Sequence, residues 1–171
     1  GCANKGYSSN VVAKIWSDWE SFAAYAFNKS HSTCYSVLAF HTAYFKAHYP
    51  SEFMASVLTH HINDIKKLAF YLEECKRMGI AILGPDINES FMNYSVNKSG
   101  KIRFGLGAIK GVGSSAAEYI ISERKKNGYY KDLFGFFKRM DSRLTNKRVF
   151  EALVFGGGFD SLTGSKRSIF F

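Results

Sequence analysis

Two glycines, Gly111 and Gly113, form the pattern in this sequence that most clearly suggests binding chemistry. They stand in the run IKGVG, directly before a segment with helical spacing, SSAAEYII. A glycine turn that opens a helix points several backbone N–H groups in one direction, and the positive end of the helix dipole lies at the same place. Because glycine has no Cβ, an anion can approach the backbone closely. The pattern therefore predicts an anion site.

The excess of basic residues concentrates around this turn. From Lys98 to Arg148 the sequence holds 13 Lys and Arg against 4 Asp and Glu, while the rest of the chain holds 10 of each. A basic segment around an anion site is typical of proteins that bind a nucleic-acid backbone without reading its bases. A second, looser copy of the pattern runs from 144 to 158. The expected DNA-binding residues are Lys110, Gly111, Val112, Gly113, Ser114 and Ser115.

Other interpretations of the same residues stay open. A glycine turn can simply connect two helices, and the run Arg124-Lys125-Lys126 is consistent with a solvated helix face. Residues 111–116 also satisfy the dinucleotide-binding pattern GxGxx[GA]. That pattern needs a buried strand after the helix and an acidic residue about 20 positions further on. Residues 125–131, KKNGYYK, are no buried strand, so the dinucleotide interpretation is disfavoured.

No residues with the spacing of a catalytic or metal site stand out. None of the five histidines pairs with a cysteine or carboxylate at ligand spacing, and no two carboxylates are placed as an acid–base pair. The three cysteines form no CxxC pair, and their odd number fits reduced thiols in a cytoplasmic protein. We expect Cys34 and Cys75 to be small buried hydrophobic residues. No apolar run approaches about 18 residues, so no membrane contact is predicted.

The first half of the chain has helical spacing. Helices are predicted from Ser9 or Asn10, from His31 to Tyr49, from Pro50, and from an Asn63 cap to a stop at Gly79. The second helix has an apolar stripe expected to face inward: Tyr35, Leu38, Ala39, Thr42 and Phe45. The polar residues just before it are expected to form a loop.

The second half changes its period. Residues 93–96 and 101–104 flank a four-residue loop and predict a β-hairpin. After the glycine turn we expect helices from Ser114 to about Lys126, from Leu133 to Met140, and from a Thr145 or Asn146 cap to the glycines at 156–158.

Several separate stretches resemble the C-family replicative DNA polymerases of bacteria, the alpha subunits of DNA polymerase III. They occur in the family's order and cover nearly the whole chain. The stretches are FAAYAFNKSHS (22–32), KAHYPSEFMA (46–55), ECKRMG (74–79), PDIN (85–88), FGLGAIKGVG (104–113) and GFD (158–160). The resemblance implies the C-terminal part of the polymerase fingers joined to a helix-hairpin-helix element. Since the chain does not begin with Met, we expect it to be part of a longer polypeptide.

What this resemblance implies can be stated for particular residues. In the family the fingers close over the incoming deoxynucleotide, so Asn28, Lys29 and His31 are expected near that nucleotide or the template. Catalysis there uses palm carboxylates that hold two Mg²⁺ ions, so Mg²⁺ is expected for the parent enzyme and no cofactor for this chain. The family's clamp-binding peptide needs a glutamine, and this chain contains none. Contacts with the sliding clamp and other replisome subunits are therefore expected through other regions.

The sequence thus predicts a mainly α fold with a small β-hairpin and a helix-hairpin-helix module. The expected divisions are helical fingers at 1–84, a linker and β-hairpin at 85–104, the module at 105–162 and a tail at 163–171. The expected function is part of template-directed DNA synthesis in the cytoplasm, with this piece gripping primer–template duplex. The alternatives are a stand-alone helix-hairpin-helix DNA-binding module and an unrelated helical interaction protein.

Overall fold

The computed structural model describes residues 1–24 and 29–162, and in these ranges it is mainly helical. The helices are α1 Ser9–Ala24, α2 Lys29–His48, α3 Pro50–His60, α4 Ile65–Arg77, α5 Ser114–Asn127, α6 Leu133–Arg139 and α7 Lys147–Gly156. The strands are β1 Ile82–Leu83, β2 Ser95–Val96 and β3 Ile102–Arg103. Short 3-10 turns lie at Ala3–Lys5 and Leu106–Ala108. The predicted fold class is confirmed.

The chain divides into two compact units, Gly1–Phe45 and a second unit that begins at Lys46. The divisions predicted at residues 84, 104 and 162 stay predictions. No helix in the described ranges is long and apolar enough to cross a membrane.

The first unit contains α1 and most of α2, and it corrects the expected inward stripe of α2. No residue of α2 is buried; Tyr35 is 61% exposed and Leu38 56% exposed. The helix itself was predicted correctly, because α2 spans nearly the predicted residues. Periodicity shows which face of a helix is apolar, but it does not show whether anything covers that face. Cys34 in α2 is likewise exposed, so its predicted burial is wrong.

The helix ends in the second unit follow local chemistry. Pro50 is the first residue of α3, where its missing N–H costs nothing. The cap of α4 is Asp64, whose Oδ1 accepts from the N–H of Lys67 at 3.1 Å, and not the predicted Asn63. Gly79 follows α4 with a φ of +71°, as expected of a glycine stop.

Along the sequence of the second unit, three short strands follow α3 and α4 and precede α5–α7, and they form one sheet. Strands β2 and β3 form the predicted antiparallel hairpin, with Val96 opposite Ile102. Strand β1 pairs in parallel with the other side of β3, with Ile82 opposite Ile102, which sequence analysis did not predict. Two-residue strands are too short to show a period of their own, so only the turn signal of the hairpin could be read.

Two hydrophobic clusters stabilise the second unit. One gathers Met54, Leu58, Cys75, Tyr94 and Ile102, so the predicted burial of Cys75 is confirmed. The other joins the buried faces of α5, α6 and α7 through a set of fully covered side chains. Its members include Leu106, Ile120, Phe136, Leu153 and Phe159. This second cluster holds the glycine turn in place.

Candidate nucleic-acid interface

The glycine turn is anchored from below by Val112. This side chain is 6% exposed and belongs to the cluster under α5 and α7. The turn closes through the N–H of Val112, which donates to the carbonyl of Ile109 at 3.0 Å. The burial of Val112 therefore fastens the glycine turn to the core.

The two glycines of the turn have different requirements. Gly111 has a φ of +101°, and a Cβ there would lie 3.1 Å from the Cβ of Ala152, so the fold itself needs a glycine. Gly113 has ordinary extended dihedrals, φ −72° and ψ 157°, and a Cβ there would meet no atom within 4 Å. Backbone conformation therefore requires a glycine at 111 and does not require one at 113. Only close approach from outside could require a glycine at 113.

The first turn of α5 offers free hydrogen-bond donors. Gly113 is its N-cap and supplies no side-chain acceptor, and no acidic residue stands in the first turn. In the described part of the chain no acceptor is present for the N–H groups of Gly113, Ser114 and Ser115. All three residues are exposed. Three unsatisfied donors at the positive end of a helix dipole attract an anion.

A shallow cleft of about 490 Å³ joins this turn to the start of α7. One wall consists of the glycine turn and the first turn of α5. The other wall is the segment from Arg143 to Val149, in which Asn146 caps α7 by accepting from the N–H of Val149 at 3.2 Å. Two helix N-termini therefore border one cleft. The second copy of the pattern, predicted over 144–158, supplies this second wall.

Basic side chains surround the cleft. Lys147 and Arg148 are the first two residues of α7, where a positive charge opposes the helix dipole by roughly 0.3–1 kcal/mol each. Arg143 also lines the cleft; it pairs with Asp141 at 3.0 Å and its side chain is 88% exposed. Among the described residues Lys110 and Arg148 have no ion-pair partner. An anion in the cleft would attract these positive charges and so offset the repulsion between the basic residues of α7 and the helix dipole.

The predicted DNA-binding residues lie in or beside this cleft. Four of them line it: Gly111, Val112, Gly113 and Ser115. Lys110 and Ser114 are exposed next to it without lining it. No residue of the opposite wall was predicted to bind DNA, although Lys147-Arg148 directly after a helix cap was a signal. Whether these residues bind DNA stays a prediction.

The predicted solvated face at 124–126 is partly wrong. Lys125 and Lys126 are exposed, but Arg124 is 7% exposed. Its guanidinium donates to the carbonyls of Ile87 at 2.6 Å and Ser90 at 2.9 Å. Burial lowers the pKa of Arg124, because the charged form loses hydration. Arg124 therefore fastens α5 to the loop after β1.

Two further arginines of the basic segment hold elements together. Arg139 donates to a carboxylate oxygen of Glu123 at 3.1 Å and lies 4.3 Å from the ring centre of Tyr130. Hydrogen bonds from Asn127 and then Arg139 lower the pKa of Glu123. Arg103 forms an ion pair with Glu89. These arginines are structural, and the cations available to a ligand are mainly lysines and the arginines at the cleft.

The residues expected near the nucleotide lie in the first unit. Asn28 is outside the described residues. Lys29 and His31 lie in the first turn of α2, not in the expected loop. The ring of His31 lies 4.5 Å from that of Tyr35, one helical turn further on. The helix begins earlier than predicted since Lys29 and Ser30 already have helical geometry.

No group of three His, Cys, Asp or Glu side chains that could hold a metal ion occurs in the ranges 1–24 and 29–162.

Comparison with known protein families decides the membership of this chain. A family model described as helix-hairpin-helix motif matches residues 79–169, more than half of the sequence. The chain belongs to the helix-hairpin-helix family. The matched residues include the three strands and α5–α7.

Relatives of this helix-hairpin-helix chain carry the name DNA polymerase III subunit alpha. That of Vibrio cholerae is 43% identical over 162 residues, that of Escherichia coli K12 44% over 162 residues, and that of Aquifex aeolicus 45% over 167 residues. The alignments cover 95%, 95% and 98% of this chain. The chain spans 14% of the length of each of these three relatives. The predicted resemblance to a segment of these subunits is confirmed.

Proposed function

We propose that this chain is the segment of a bacterial DNA polymerase III alpha subunit that grips the phosphate backbone of primer–template duplex. The observation that carries the proposal is the cleft between the N-termini of α5 and α7. Free N–H groups at 113–115, the bordering Arg143 and Arg148, and exposed Lys110 could all donate to phosphate oxygens. Such contacts position a duplex without selecting a sequence. Similarity to the alpha subunits extends over α1–α4 as well, which favours a polymerase segment over a stand-alone DNA-binding module.

The salt dependence of duplex binding tests this proposal. Released counterions drive binding to phosphates, so roughly two to four contacts give a log–log salt slope of about −2 to −4. Lys110→Ala or Arg148→Ala removes one phosphate partner, and the slope should become shallower by about one. The measurement is fluorescence anisotropy with two short labelled duplexes of unrelated sequence, across a salt series from about 50 to about 200 mM.

Lys66→Ala is the matched control for these variants. Lys66 is an exposed lysine of α4 that forms no ion pair in the described ranges and does not line the cleft. The Lys66→Ala control should keep the salt slope of the unmodified chain and the same midpoint of its duplex-binding curve. Equal slopes for Lys110→Ala, Arg148→Ala and the control would contradict the proposal, as would a strong preference for one duplex sequence.

In the parent enzyme we propose a role in DNA synthesis in the bacterial cytoplasm. The two Mg²⁺ ions that support nucleotidyl transfer are placed on palm carboxylates outside this chain. Sliding-clamp and replisome contacts are likewise assigned to other regions. We expect the purified 171-residue chain, given primer–template, deoxynucleotides and Mg²⁺, to extend no primer, since it matches 14% of the alpha subunit. Template-dependent extension that survives removal of contaminating polymerases would overturn this assignment.

Lys29 and His31 are proposed to act near the incoming nucleotide or the template. Both are exposed in the first turn of α2, so replacing both by alanine should change the free energy of unfolding by about 1 kcal/mol or less. In the parent enzyme the double variant should slow single-turnover nucleotide incorporation and keep its affinity for duplex. Lys14→Ala, an exposed lysine of α1, is the control. Incorporation at the parent rate would leave the two residues with a structural role only.

A further inference from the structure

A second cleft lies at the other end of α5 from the glycine turn. It has a volume of about 910 Å³ and is bordered by the C-terminal end of α5, the loop between β2 and β3, and the loop before β2. The side chains that matter for its chemistry are Phe91, Lys98, Lys125 and Tyr129, and we call it the Phe91–Tyr129 cleft. None of these residues contributes to the phosphate site described above.

Two aromatic rings of this cleft are open to solvent. Tyr129 is 73% exposed and Phe91 is 47% exposed. In the described part of the chain Tyr129 has no ring–ring contact, so its faces are available. The guanidinium carbon of Arg124 lies 5.5 Å from the ring centre of Phe91, and the ammonium of Lys125 lies 5.8 Å from it. Rings exposed in this way can stack on planar ligands.

The net charge of the residues that line the cleft is positive. Three cations line it, Lys98, Arg124 and Lys125, against the carboxylates of Asp86 and Glu89. Glu89 already forms an ion pair with Arg103. Lys98 and Lys125 have no ion-pair partner among the described residues. Exposed rings together with unpaired lysines suit a ligand that carries both planar groups and negative charge.

We propose that the Phe91–Tyr129 cleft binds single-stranded nucleic acid. Bases stack on Tyr129 and Phe91, and the backbone phosphates lie near Lys98 and Lys125, which is the general mode of sequence-independent single-strand binding. Helix α5 has 14 residues and is therefore about 20 Å long, so the cleft and the phosphate site lie at opposite ends of one rigid element. This placement fits a nucleic acid whose duplex part lies at the phosphate site and whose one strand continues unpaired into the Phe91–Tyr129 cleft. Only this placement beside a duplex rests on the proposed function.

The test uses labelled oligo(dT), oligo(rU) and an abasic strand of equal length and charge, each titrated into the full 171-residue chain. The parent should bind both base-carrying strands more tightly than the abasic one. Tyr129→Ala should weaken oligo(dT) binding by roughly 5- to 150-fold, the range for loss of one stacked base, and leave binding of the abasic strand unchanged. Lys125→Ala should weaken binding of all three strands and make the salt slope shallower by about 0.7.

Two matched controls separate stacking and charge from general surface effects. Phe134→Ala removes a ring that is 78% exposed in α6, and Lys126→Ala removes the lysine next to Lys125; neither residue lines the cleft. Both controls should bind oligo(dT) as the parent does. Circular dichroism and urea unfolding confirm that each variant is folded.

The outcomes are distinguishable from those of the phosphate site. Loss of duplex binding in Gly113→Val with unchanged oligo(dT) binding supports two separate sites. If the unmodified chain bound oligo(dT) but not duplex, the proposed function alone would be overturned. Parent-like oligo(dT) binding by Tyr129→Ala, or no binding at low salt by the parent, would overturn the single-strand site. A polyglutamate peptide that displaces oligo(dT) and loses affinity equally in Tyr129→Ala would show an acidic-peptide site instead.

Discussion

Replacing Gly113 by valine is expected to remove most of the chain's affinity for duplex DNA and to leave its fold intact. The backbone at 113 is extended, and a Cβ there would meet nothing within 4 Å, so valine fits without displacing the hairpin. The same side chain would stand in front of the free N–H groups that open α5. We expect duplex affinity to fall at least about tenfold, which corresponds to about 1.4 kcal/mol. Anisotropy with a labelled duplex measures this.

Gly113→Asp sharpens the same experiment because its effects on folding and binding should have opposite signs. Aspartate is among the preferred N-cap residues, and its carboxylate can accept from the first-turn N–H groups that no residue now caps. The free energy of unfolding should therefore hold or rise by a few tenths of a kcal/mol. The added negative charge repels a phosphate, so duplex binding should fall further than in Gly113→Val. A more stable chain that binds less is not explained by damage to the fold.

Gly111→Ala is the contrasting variant in the same hairpin. Its φ of +101° and the Ala152 Cβ at 3.1 Å mean that a side chain is strained and crowded there. The expected result is a loss of about 1–3 kcal/mol of unfolding free energy. Binding should fall only as far as the population of folded chain falls.

Parent-like duplex affinity in a folded Gly113→Val chain would show that the glycine turn is only a connector between helices.

The features that could be predicted from the sequence depend on neighbouring residues. The Asn146 cap, the Pro50 start of α3 and the glycine at 79 each end or begin a helix through one or two local hydrogen bonds or dihedral angles. The glycine turn before α5 could also be predicted, because the turn and the helix that follows it occupy one short stretch of sequence. In each case the physical cause lies within about four residues of the signal.

The failures concern partners that are distant along the chain. Arg124 was assigned to a solvated run, but its acceptors, Ile87 and Ser90, lie 37 and 34 residues earlier. The opposite wall of the phosphate cleft starts at Arg143, 30 positions beyond Gly113. The looser second copy of the pattern was predicted over 144–158, but nothing local showed that the two copies face one cleft. Burial and convergence of this kind depend on how elements pack, which local patterns do not contain.

Arg124 also carries the second large effect, on stability. Its two guanidinium donors bond to the carbonyls of Ile87 and Ser90, and both of those residues are 0% exposed. The described residues supply no other donor to either carbonyl. A buried acceptor without a donor costs about 1–3 kcal/mol, because it has lost water and gained nothing. Arg124 therefore satisfies two backbone groups that water cannot reach.

Arg124→Met is expected to lower the free energy of unfolding by about 2–4 kcal/mol. Two unsatisfied carbonyls together would cost more, but removing the arginine also removes the cost of burying a charge, which the lowered pKa of Arg124 reflects. Methionine fills most of the vacated volume, so a cavity adds little. Urea unfolding followed by circular dichroism measures the change.

Arg124→Lys separates the hydrogen-bond geometry from the charge. Lysine keeps the charge, but a single ammonium cannot reproduce the planar fork that spans two carbonyls, so its loss should fall between that of Arg124→Met and the parent. Lys126→Met, two residues further along α5 and exposed, should stay within about 0.5 kcal/mol of the parent. If Arg124→Met were as stable as Lys126→Met, the two carbonyls must find water or other donors, and Arg124 would not hold α5 to the loop that carries Phe91.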